Sequence, residues 1–516
     1  RFFHYESQFL NNKPSHPLFL GLDQGSTSSK ACLLSHSGKI EWFDRIPVNT
    51  HIPQEHFVEQ DPLELLESLE QLVSRALTFA SSRGATIAAA GLTLQRSGAL
   101  AWRKGSKDCV SPILTWRDNR AQYRLEREDF PREFVYRRTG LMPAAGLAGA
   151  KLSILQRENP HIDVQVGTPD GYYLQELTGA HEFVIEESLA HRSLLYDLEG
   201  RSWDQDLCEI FDVELSRLPK VQPSFGFRGE ISGIPLLSVL GDGQAALYAV
   251  VSQGAHFTYN LGTKGLMLIP SFGKRLTVPS YLSSLFFSTR PMSHGEPEQA
   301  FVLEGGTNAC GESFSEICRL LNISPDEVSS FAGRGEGRGV FFCPFREITT
   351  PDWIPHPQDA VLLDQSSHLT PFDFAQGLTE NVGNFIIEDI LGMKQQNLLN
   401  TEEPLPFMGG ISQNDFLLQY VSDCTGFPVG RTSISEAASF GAALSAKNEF
   451  SDFPHGQLFD KEKTMSFDKI FVPGKSKRKE RYSAWLELKH AALSHSLPKQ
   501  CKPYREVRED FFRRSL

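Results

Sequence analysis

The stretch LFLGLDQGSTSSK, residues 18–30, places a carboxylate beside a glycine and a run of hydroxyl side chains. The apolar residues before Asp23 predict a strand that ends in a tight turn. Gly25 permits close approach of the backbone, and hydroxyl groups next to a turn can donate to phosphate oxygens. The hydroxyl residues of this turn are Ser26, Thr27 and Ser28. Because Asp23 repels a phosphate, the pattern favours an intervening cation such as Mg²⁺; the alternative is an ordinary hairpin turn rich in serine and threonine.

Two later turns resemble nucleotide-contacting loops in composition. Gly262 and Thr263 follow an apolar strand and offer a second set of donors to a phosphate. In LPFMGGISQNDFLLQYVSD, Gly409 and Gly410 end a strand just before a helix. Paired glycines would let a flat ring lie against the backbone, with Asn414 able to hydrogen-bond it. A simple turn explains the glycine pair equally well.

A second carboxylate, Asp242, ends the apolar strand of IPLLSVLGDGQAALYAV and precedes a helix. A carboxylate at a strand end can accept the proton of a hydroxyl group during phosphoryl transfer. Acidic residues at this place also cap helices. From the residues alone, the pattern favours a helix cap for Asp242, with proton acceptance as the alternative.

The elements that must position these side chains alternate between strands and helices. LFLGLD, KACLLS and KIEWFDRIPV predict three strands, the last two turning at residues 36–38, and TIAAAGLTLQ predicts another strand. DPLELLESLEQLVSRALTFA begins with Asp-Pro and has leucines at helical spacing, which predicts a helix. A unit made of a strand, a Gly-Thr or Gly-Ser-Thr turn and a second strand occurs near the start of the chain and again past its middle. It predicts two similar α/β halves with a ligand cleft between them, although so short a repeat also arises by chance.

Composition narrows the class of protein. The 516 residues are enough for two to four domains, with 40% hydrophobic residues for a core. A net charge of −12 argues against a nucleic-acid partner, which requires a basic face. The eight cysteines are scattered, as free thiols of a reducing compartment are. No apolar run approaches the ~20 residues of a membrane span, and the first residues lack a signal-peptide pattern. We therefore expect a cytoplasmic protein without a membrane partner.

Taken in order, the motifs DQGSTS, QR, WRDNR, GDGQAAL, NLGTKG, LEGG, MGGISQN and GAAL resemble those of the FGGY carbohydrate kinases, particularly the glycerol kinase branch. The resemblance extends from about residue 18 to residue 447. It implies an α/β fold of two actin/hexokinase/Hsp70-like (ribonuclease H-like) ATPase domains with a cleft between them. It also implies ATP and Mg²⁺ as cofactors and a small polyol or sugar as the substrate. We expect an N-terminal domain over residues 18–234, a C-terminal domain over 235–495 and a tail over 496–516.

Each site residue takes its implied role from this resemblance. Asp23 matches the acid associated with Mg²⁺, and Asp242 matches the general base, which also contacts substrate. The residues that match the ATP-binding positions are Gly25, Ser26, Thr27, Ser28, Thr263, Gly311, Gly410 and Asn414. Arg96 and Trp116 match an arginine and an aromatic wall that hold polyol hydroxyls and C–H groups. Asp118 and Arg120 fit the W-x-D-x-R pattern of other sugar kinases, or else form a surface salt bridge.

Several positions depart from the glycerol kinase pattern. Ser97 replaces an acid, Gly146 a tyrosine that contacts substrate, Gly243 a glutamine and Leu266 a phenylalanine. Lys264 also replaces a glycine. A site that lacks its hydrogen-bonding partners discriminates poorly for the original substrate, and the loss of a tyrosine predicts extra room. We therefore expect an acceptor that is glycerol-like or larger.

Three alternatives remain for the function. In the first the chain is a kinase whose acceptor is a polyol, and in the second the acceptor is a pentulose or heptulose ketose. In a different class, the chain is a nucleotide-binding pseudokinase or regulatory protein, although retention of both Asp23 and Asp242 argues against this. A homodimer is a further expectation of the resemblance. Residues 474–493 predict a helix that packs on the fold, and residues 502–516 predict a solvated terminal helix or, alternatively, a partner contact.

Overall fold

The computed structural model describes residues 16–161, 163–262, 264–279, 281–289, 298–307, 310–336, 341–342, 360–362, 370–400, 402–434, 436–459, 465–474, 478–494 and 501–503. The strands are β1 (Pro17–Gln24), β2 (Ser28–Ser35), β3 (Ile40–Pro47), β4 (Glu59–Gln60), β5 (Thr86–Leu94), β6 (Leu100–Arg103), β7 (Ile113–Leu114), β8 (Val164–Gly167), β9 (Val184–Glu186), β10 (Tyr196–Asp197), β11 (Ser202–Trp203), β12 (Lys220–Gln222), β13 (Glu230–Ile231), β14 (Ile234–Gly241), β15 (Thr258–Leu261), β16 (Gly265–Phe272), β17 (Leu282–Ser288), β18 (Gln299–Thr307), β19 (Phe341–Phe342), β20 (Ala360–Leu362), β21 (Leu405–Met408), β22 (Val429–Thr432), β23 (Phe467–Phe471) and β24 (Cys501–Pro503).

The α-helices of these residues are α1 (Pro62–Ser82), α2 (Gln122–Leu125), α3 (Arg132–Thr139), α4 (Ala148–Glu158), α5 (Pro169–Thr178), α6 (Glu187–His191), α7 (Gln205–Phe211), α8 (Asp242–Val251), α9 (Cys310–Leu321), α10 (Val328–Gly333), α11 (Pro371–Gln395), α12 (Asp415–Thr425), α13 (Ala437–Phe450) and α14 (Arg478–Leu493). Short 3₁₀ turns lie at Leu215–Arg217, Pro325–Glu327, Gly410–Gln413 and His455–Phe459.

The first sheet has the strand order β13-β14-β5-β1-β2-β3. β1, β2 and β3 form an antiparallel meander, whereas β5 and β14 run parallel to β1. β1, β5 and β14 are buried almost throughout, as expected for parallel strands covered on both faces. Both acidic residues of interest, Asp23 and Asp242, lie where these parallel strands end.

The second sheet repeats this arrangement. Its order is β17-β18-β16-β15-β21-β22-β23, with β15, β16 and β18 antiparallel and β21 and β22 parallel to β15. The run β3-β2-β1-β5-β14 of the first sheet thus corresponds to β18-β16-β15-β21-β22 of the second. The two halves predicted from the repeated strand–turn–strand unit are present, and the duplication extends to five strands of each sheet.

Helix α1 shows why the local prediction succeeded. The Asp61 side chain caps it by accepting a hydrogen bond from the Leu63 amide, and Pro62 occupies its first position. Four of its leucines, Leu65, Leu66, Leu69 and Leu72, are buried in the core behind the first sheet, whereas Leu63 is exposed. An amphipathic stripe with a clear start signal therefore formed the expected helix.

Helix α13 joins the two halves through close backbone contact. A Cβ at Gly441 would lie 1.8 Å from the carbonyl oxygen of Ala245 in α8, and one at Gly91 of β5 would lie 2.1 Å from that of Ala442. Ser445 and Ser238 are also hydrogen-bonded at 2.8 Å. The small residues of GAAL therefore allow α13 to pack directly on α8 and on the first sheet.

Other expectations have mixed outcomes. Cys32, Cys109, Cys208, Cys310, Cys318 and Cys424 are free thiols, as predicted. The helix expected within 474–493 forms as α14, but residues 501–503 form strand β24 on β20, so a helix over 502–516 is wrong at its start. Residues 504–516 lie outside the described residues.

None of the described helices has both the length and the apolarity of a membrane span.

The predicted domain boundary at 234/235 stays a prediction. The boundary falls within strand β14 (Ile234–Gly241), which pairs with β5 in the first sheet. The first sheet therefore extends in sequence to Gly241.

Candidate active site

The turn between β1 and β2 is closed by a hydrogen bond of 3.1 Å from the Gly25 amide to the Ser28 carbonyl oxygen. A Cβ at Gly25 would lie 3.0 Å from that oxygen, which explains the glycine. Ser26 and Ser28 are partly buried, whereas Thr27 is exposed. The turn holds these hydroxyl residues together, as the sequence predicted.

Asp23, just before this turn, is only 6% exposed. Burial raises its pKa to about 7; the charge of Lys30 lowers it, while the charges of Asp242 and Glu436 raise it further. Lys30 itself pairs with Glu436 at 2.7 Å. A buried carboxylate beside other acids is a chemically suitable ligand for a hard divalent cation, so Asp23 fits the Mg²⁺ implied by its motif.

Ser26 connects the turn to the residues expected to hold the acceptor. Its Oγ donates to Oε1 of Gln95 at 3.1 Å and accepts from Nε1 of Trp116 at 3.0 Å. Its carbonyl oxygen accepts from Nε2 of Gln60 at 2.9 Å, and Gln60 in turn accepts from Gln95. We call the turn over residues 23–28 the donor turn, because its motif is expected to hold the phosphates of the phosphate donor. These hydrogen bonds join the donor turn to the ring of Trp116.

Arg96 lies beside Asp242 and links the two halves of the chain. Its Nε donates to Asp242 Oδ1 at 3.1 Å, and its Nη1 donates to Glu304 Oε1 at 3.2 Å. Glu304 belongs to β18 of the second sheet and also accepts from Arg192 at 3.3 Å. The side chain of Asp242 stays 41% exposed, whereas that of Glu304 is 2% exposed. Asp242 is thus accessible, and the buried Glu304 fixes the arginine next to it.

The charge of Glu304 is maintained by its partners. Burial alone would raise its pKa, but the charges of Arg192 and Arg96 outweigh burial and lower the pKa to about 2. Removal of either arginine would leave this buried carboxylate only partly compensated by the other. Nη2 of Arg96 makes no hydrogen bond to any described residue, so this N–H group remains available to a ligand.

The extra room predicted from Gly146 is absent, which is a correction, and Gly243 is in similarly close contact with its neighbours. A Cβ at Gly146 would lie 2.5 Å from the carbonyl oxygen of Trp116. At Gly243 a Cβ would lie 2.9 Å from Cζ and Nη2 of Arg96. Main chain and a guanidinium have moved into the space, so both glycines permit close contact and leave no void.

Asp118 is buried and fully engaged. Its Oδ2 accepts from the Val58 amide at 2.9 Å, and both oxygens accept from Arg120. Arg120 also pairs with Glu59 and stacks over Phe57. The pair is therefore not on the surface, and these contacts favour a structural role for Asp118; its predicted role in substrate binding stays a prediction.

The segment that follows β21 holds two of the residues predicted to contact the nucleotide, Gly410 and Asn414. A Cβ at Gly410 would meet no atom within 4 Å, so the space above it is open. Asn414 caps α12 by accepting from the Leu417 amide at 2.9 Å, while its Nδ2 is buried and has no hydrogen-bond partner among the described residues. A buried donor next to an open glycine fits a nucleotide base or ribose, which would supply the missing acceptor.

The remaining predicted positions are less well defined. Gly311 lies in the first turn of α9. Thr263 lies outside the described residues. Its neighbour Lys264 places Nζ 4.8 Å from the ring centre of Trp116, so the second turn approaches the wall of the acceptor side.

Sequence reasoning missed several residues of this site. Glu304 lies within the quoted motif LEGG, and Gln95 precedes Arg96 in the quoted QR, so both had a weak signal. Arg192 and Gln60 had none, since their partners are distant in the sequence. Lys151, described below, also escaped notice.

Comparisons with known proteins agree with this architecture. The N-terminal domain model of the FGGY family of carbohydrate kinases matches residues 18–248, and the C-terminal domain model matches residues 287–447. A glycerol kinase from Thermus brockianus is 30% identical over 445 residues, covering 82% of this chain and 88% of the relative.

Two solved structures show the same fold. Plasmodium falciparum glycerol kinase with ADP superposes with a TM-score of 0.80 at 20% identity, covering 94% of this chain and 99% of the other. Xylulose kinase from Lactobacillus acidophilus gives a TM-score of 0.77 at 16% identity, covering 92% and 98%. The implied fold of two ATPase domains is confirmed, and the chain belongs to the FGGY family of carbohydrate kinases, which transfer phosphate from ATP to an alcohol group.

Proposed function

We propose that this kinase phosphorylates a hydroxyl of a small polyol or sugar that binds between Trp116 and Asp242. One observation carries the proposal. Trp116 is bonded to the donor turn through Ser26, while Arg96 is bonded to Asp242. An acceptor held by Arg96 and Trp116 would therefore lie next to both the phosphate loop and a carboxylate.

The residues of the site divide the work of phosphoryl transfer. Nη2 of Arg96 donates to a hydroxyl of the acceptor, and the ring of Trp116 covers its C–H face. Asp242 orients the attacking hydroxyl and accepts its proton late in the step. Asp242 is the first residue of α8, and its Oδ1 accepts a hydrogen bond from the Gly243 amide at 2.7 Å as well as from Arg96, so a capping contact and the proposed role as base are compatible.

The donor is ATP with Mg²⁺. Asp23 would hold the ion, which neutralises phosphate charge when bound. The donor turn and Thr263 contact the phosphates of ATP. Gly311, Gly410 and Asn414 contact its adenosine. The buried, unpartnered Nδ2 of Asn414 supports this assignment.

The acceptor class is glycerol-like or larger. Similarity to the glycerol kinase of Thermus brockianus supports a polyol. A pentulose or heptulose is the second candidate, because Ser97 and Gly146 lack the side chains of the glycerol kinase pattern. Because Gly146 and Gly243 are in close contact with their neighbours, their small size does not by itself favour a larger acceptor.

The test is a screen of ATP consumption by the purified protein against glycerol, tetritols, pentuloses and heptuloses. Asp242→Asn is the matched control, since it keeps the volume of the side chain and removes its basicity. We expect turnover with one acceptor class and a loss of kcat of about 10²–10⁴-fold in the variant. Calorimetry with an ATP analogue should give equal affinity for both proteins. If both bind nucleotide and both are inert with every acceptor, the pseudokinase reading replaces this one.

A homodimer and a cytoplasmic location stay predictions. Analytical ultracentrifugation of the purified chain tests the first, and imaging of a tagged full-length protein tests the second.

A further inference from the structure

Lys151, in the first turn of α4, is completely buried and has an unusual set of partners. Its Nζ lies 2.8 Å from the carbonyl oxygen of Ser97, 2.7 Å from that of Thr115 and 2.8 Å from that of Gly146. All three acceptors are neutral main-chain groups. Buried lysines are normally paired with an acid, so this arrangement requires an explanation.

The three carbonyl groups belong to the three segments that carry the acceptor side. Ser97 follows Arg96, Thr115 precedes Trp116, and Gly146 itself contacts the carbonyl of Trp116. Ser97 also has a φ of 67°, which is uncommon for a residue other than glycine. One ammonium group therefore ties together backbone segments that would otherwise be independent.

The number of bonds depends on the proton. An ammonium has three N–H donors, and all three are used here. A neutral amine has two donors and a lone pair, so one of the three carbonyls would face the lone pair and its segment would be released. Of the charged groups near Lys151, the carboxylate of Asp118 favours the ammonium and Arg120 opposes it. Arg96 is directed away, towards Asp242 and Glu304.

The proton is lost in an accessible range. Burial lowers the pKa of Lys151 from 10.5 to about 7, because Asp118 compensates only part of the desolvation. Between these two values the unfolded chain binds more protons than the folded chain, so this residue makes the fold more stable as pH rises. Over the same pH range the Lys151 side chain loses one of its three hydrogen bonds to main-chain carbonyl groups.

We propose that Lys151 is a positioning residue whose ammonium holds the Arg96, Trp116 and Gly146 segments in the geometry that binds the acceptor, and that loss of its proton weakens acceptor binding. The proposal rests on the function proposed above. It concerns only the acceptor side, because within the described part of the chain the hydrogen bonds of Lys151 go to Ser97, Thr115 and Gly146 and to no residue of the donor turn.

The experiment compares wild type with Lys151→Met between pH 6 and 8.5, using the acceptor found by the screen. At pH 6 we expect an acceptor KM roughly tenfold higher in the variant, the effect of one lost charge-assisted bond, with similar kcat and ATP KM. The KM ratio should fall towards one at pH 8.5, because wild type then lacks the proton too. A buried lysine of purely structural importance would give a ratio that does not change with pH.

Lys489→Met is the control. Lys489 is also buried, but it pairs with Glu388 and lies in α14, on the second domain. Its loss should lower the melting temperature without a change in acceptor KM at any pH.

Hydrogen exchange of wild type provides a second measurement that needs neither activity nor a folded variant. After correction for intrinsic rates, peptides covering 95–99, 113–118 and 144–148 should lose protection between pH 6 and 8.5, whereas α14 should not. A KM ratio that is constant with pH, or unchanged protection of all three segments, overturns the proposal. Absence of turnover with every acceptor, together with the predicted exchange result, would overturn the proposed function. It would still support the inference that the Lys151 ammonium holds the three backbone segments.

Discussion

The residues that we propose for the donor side and those that we propose for the acceptor side of this kinase are brought together in different ways. The donor turn is made by neighbours in sequence, from Asp23 to Ser28, and is closed by a bond between Gly25 and Ser28. The acceptor side is made by distant residues: Arg96 reaches Asp242 146 positions away and Glu304 208 positions away. A short motif can therefore specify how phosphate is held, whereas recognition of the acceptor depends on how whole elements pack.

The two sides also differ in how their buried carboxyl groups are compensated. On the donor side a buried acid, Asp23, has a raised pKa because burial dominates. On the acceptor side Glu304 has a lowered pKa because two arginines overcome burial. The first carboxyl group is only partly compensated, by the charge of Lys30, whereas the second is fully compensated by two arginines. Substitutions on the two sides should accordingly have separable effects on the two substrates.

The largest separation is expected for Glu304→Gln. The change keeps the volume but leaves Arg96 and Arg192 without their shared carboxylate, and loss of one partner of a buried pair is costly. We expect kcat/KM for the acceptor to fall on the order of 10²-fold, with ATP KM within about twofold of wild type. Steady-state kinetics with each substrate varied in turn will measure both.

Glu380→Gln is the matched control, because Glu380 is 3% exposed and pairs with Arg481 at 2.7 Å between α11 and α14. It should lower the melting temperature comparably and leave acceptor kinetics unchanged. Equal losses of acceptor kcat/KM in both variants would show that Glu304 acts only through stability, and the contrast between the two sides would then fail.

A smaller effect is expected for Gly146→Ala. The new Cβ would lie 2.5 Å from the Trp116 carbonyl oxygen, which must move and take Trp116 with it. Overpacking of this kind costs about 1–3 kcal/mol, so we expect an acceptor KM about tenfold higher with little change in ATP KM. Acceptor titrations and a melting curve will test this.

Gly333→Ala provides the comparison, since a Cβ there would meet nothing nearer than 4.0 Å. If Gly146→Ala instead lowers the KM of glycerol, the glycine is not required for close contact, and the crowding seen at this position does not govern the acceptor.

The smallest effect is expected on the donor side, at Asn414. Asn414→Asp keeps the oxygen that caps α12 but removes the buried Nδ2 donor. We expect ATP KM to rise by a factor of about 2–10, the value of one neutral hydrogen bond, with unchanged acceptor KM and melting temperature.

Asn414→Ala separates the two roles of this residue, because it also removes the cap and should destabilise the fold by about 1 kcal/mol. An ATP KM equal to that of wild type in Asn414→Asp would remove the adenosine from this position.

Local sequence signals predicted much of the framework. The cap at Asp61 and the leucine stripe predicted α1, and the repeated strand–turn–strand units predicted two similar halves. These predictions succeeded because turns, caps and apolar periodicity are properties of neighbouring residues. The terminal segment failed for the opposite reason: β24 forms by pairing with β20, which a composition of charged and aromatic residues does not reveal.

The sequence by itself determined the family, the fold and the residues of the donor turn, because consecutive side chains on a strand end and its turn are brought together whatever the rest of the chain does. Only the tertiary structure decided the acceptor side. It filled the space expected at Gly146 with the Trp116 carbonyl, and it brought Glu304 and Arg192 to Arg96. It also placed Lys151 among three carbonyls. The physical reason is that close packing and buried charge pairing depend on elements that meet in space, and their spacing in the chain carries no record of that contact.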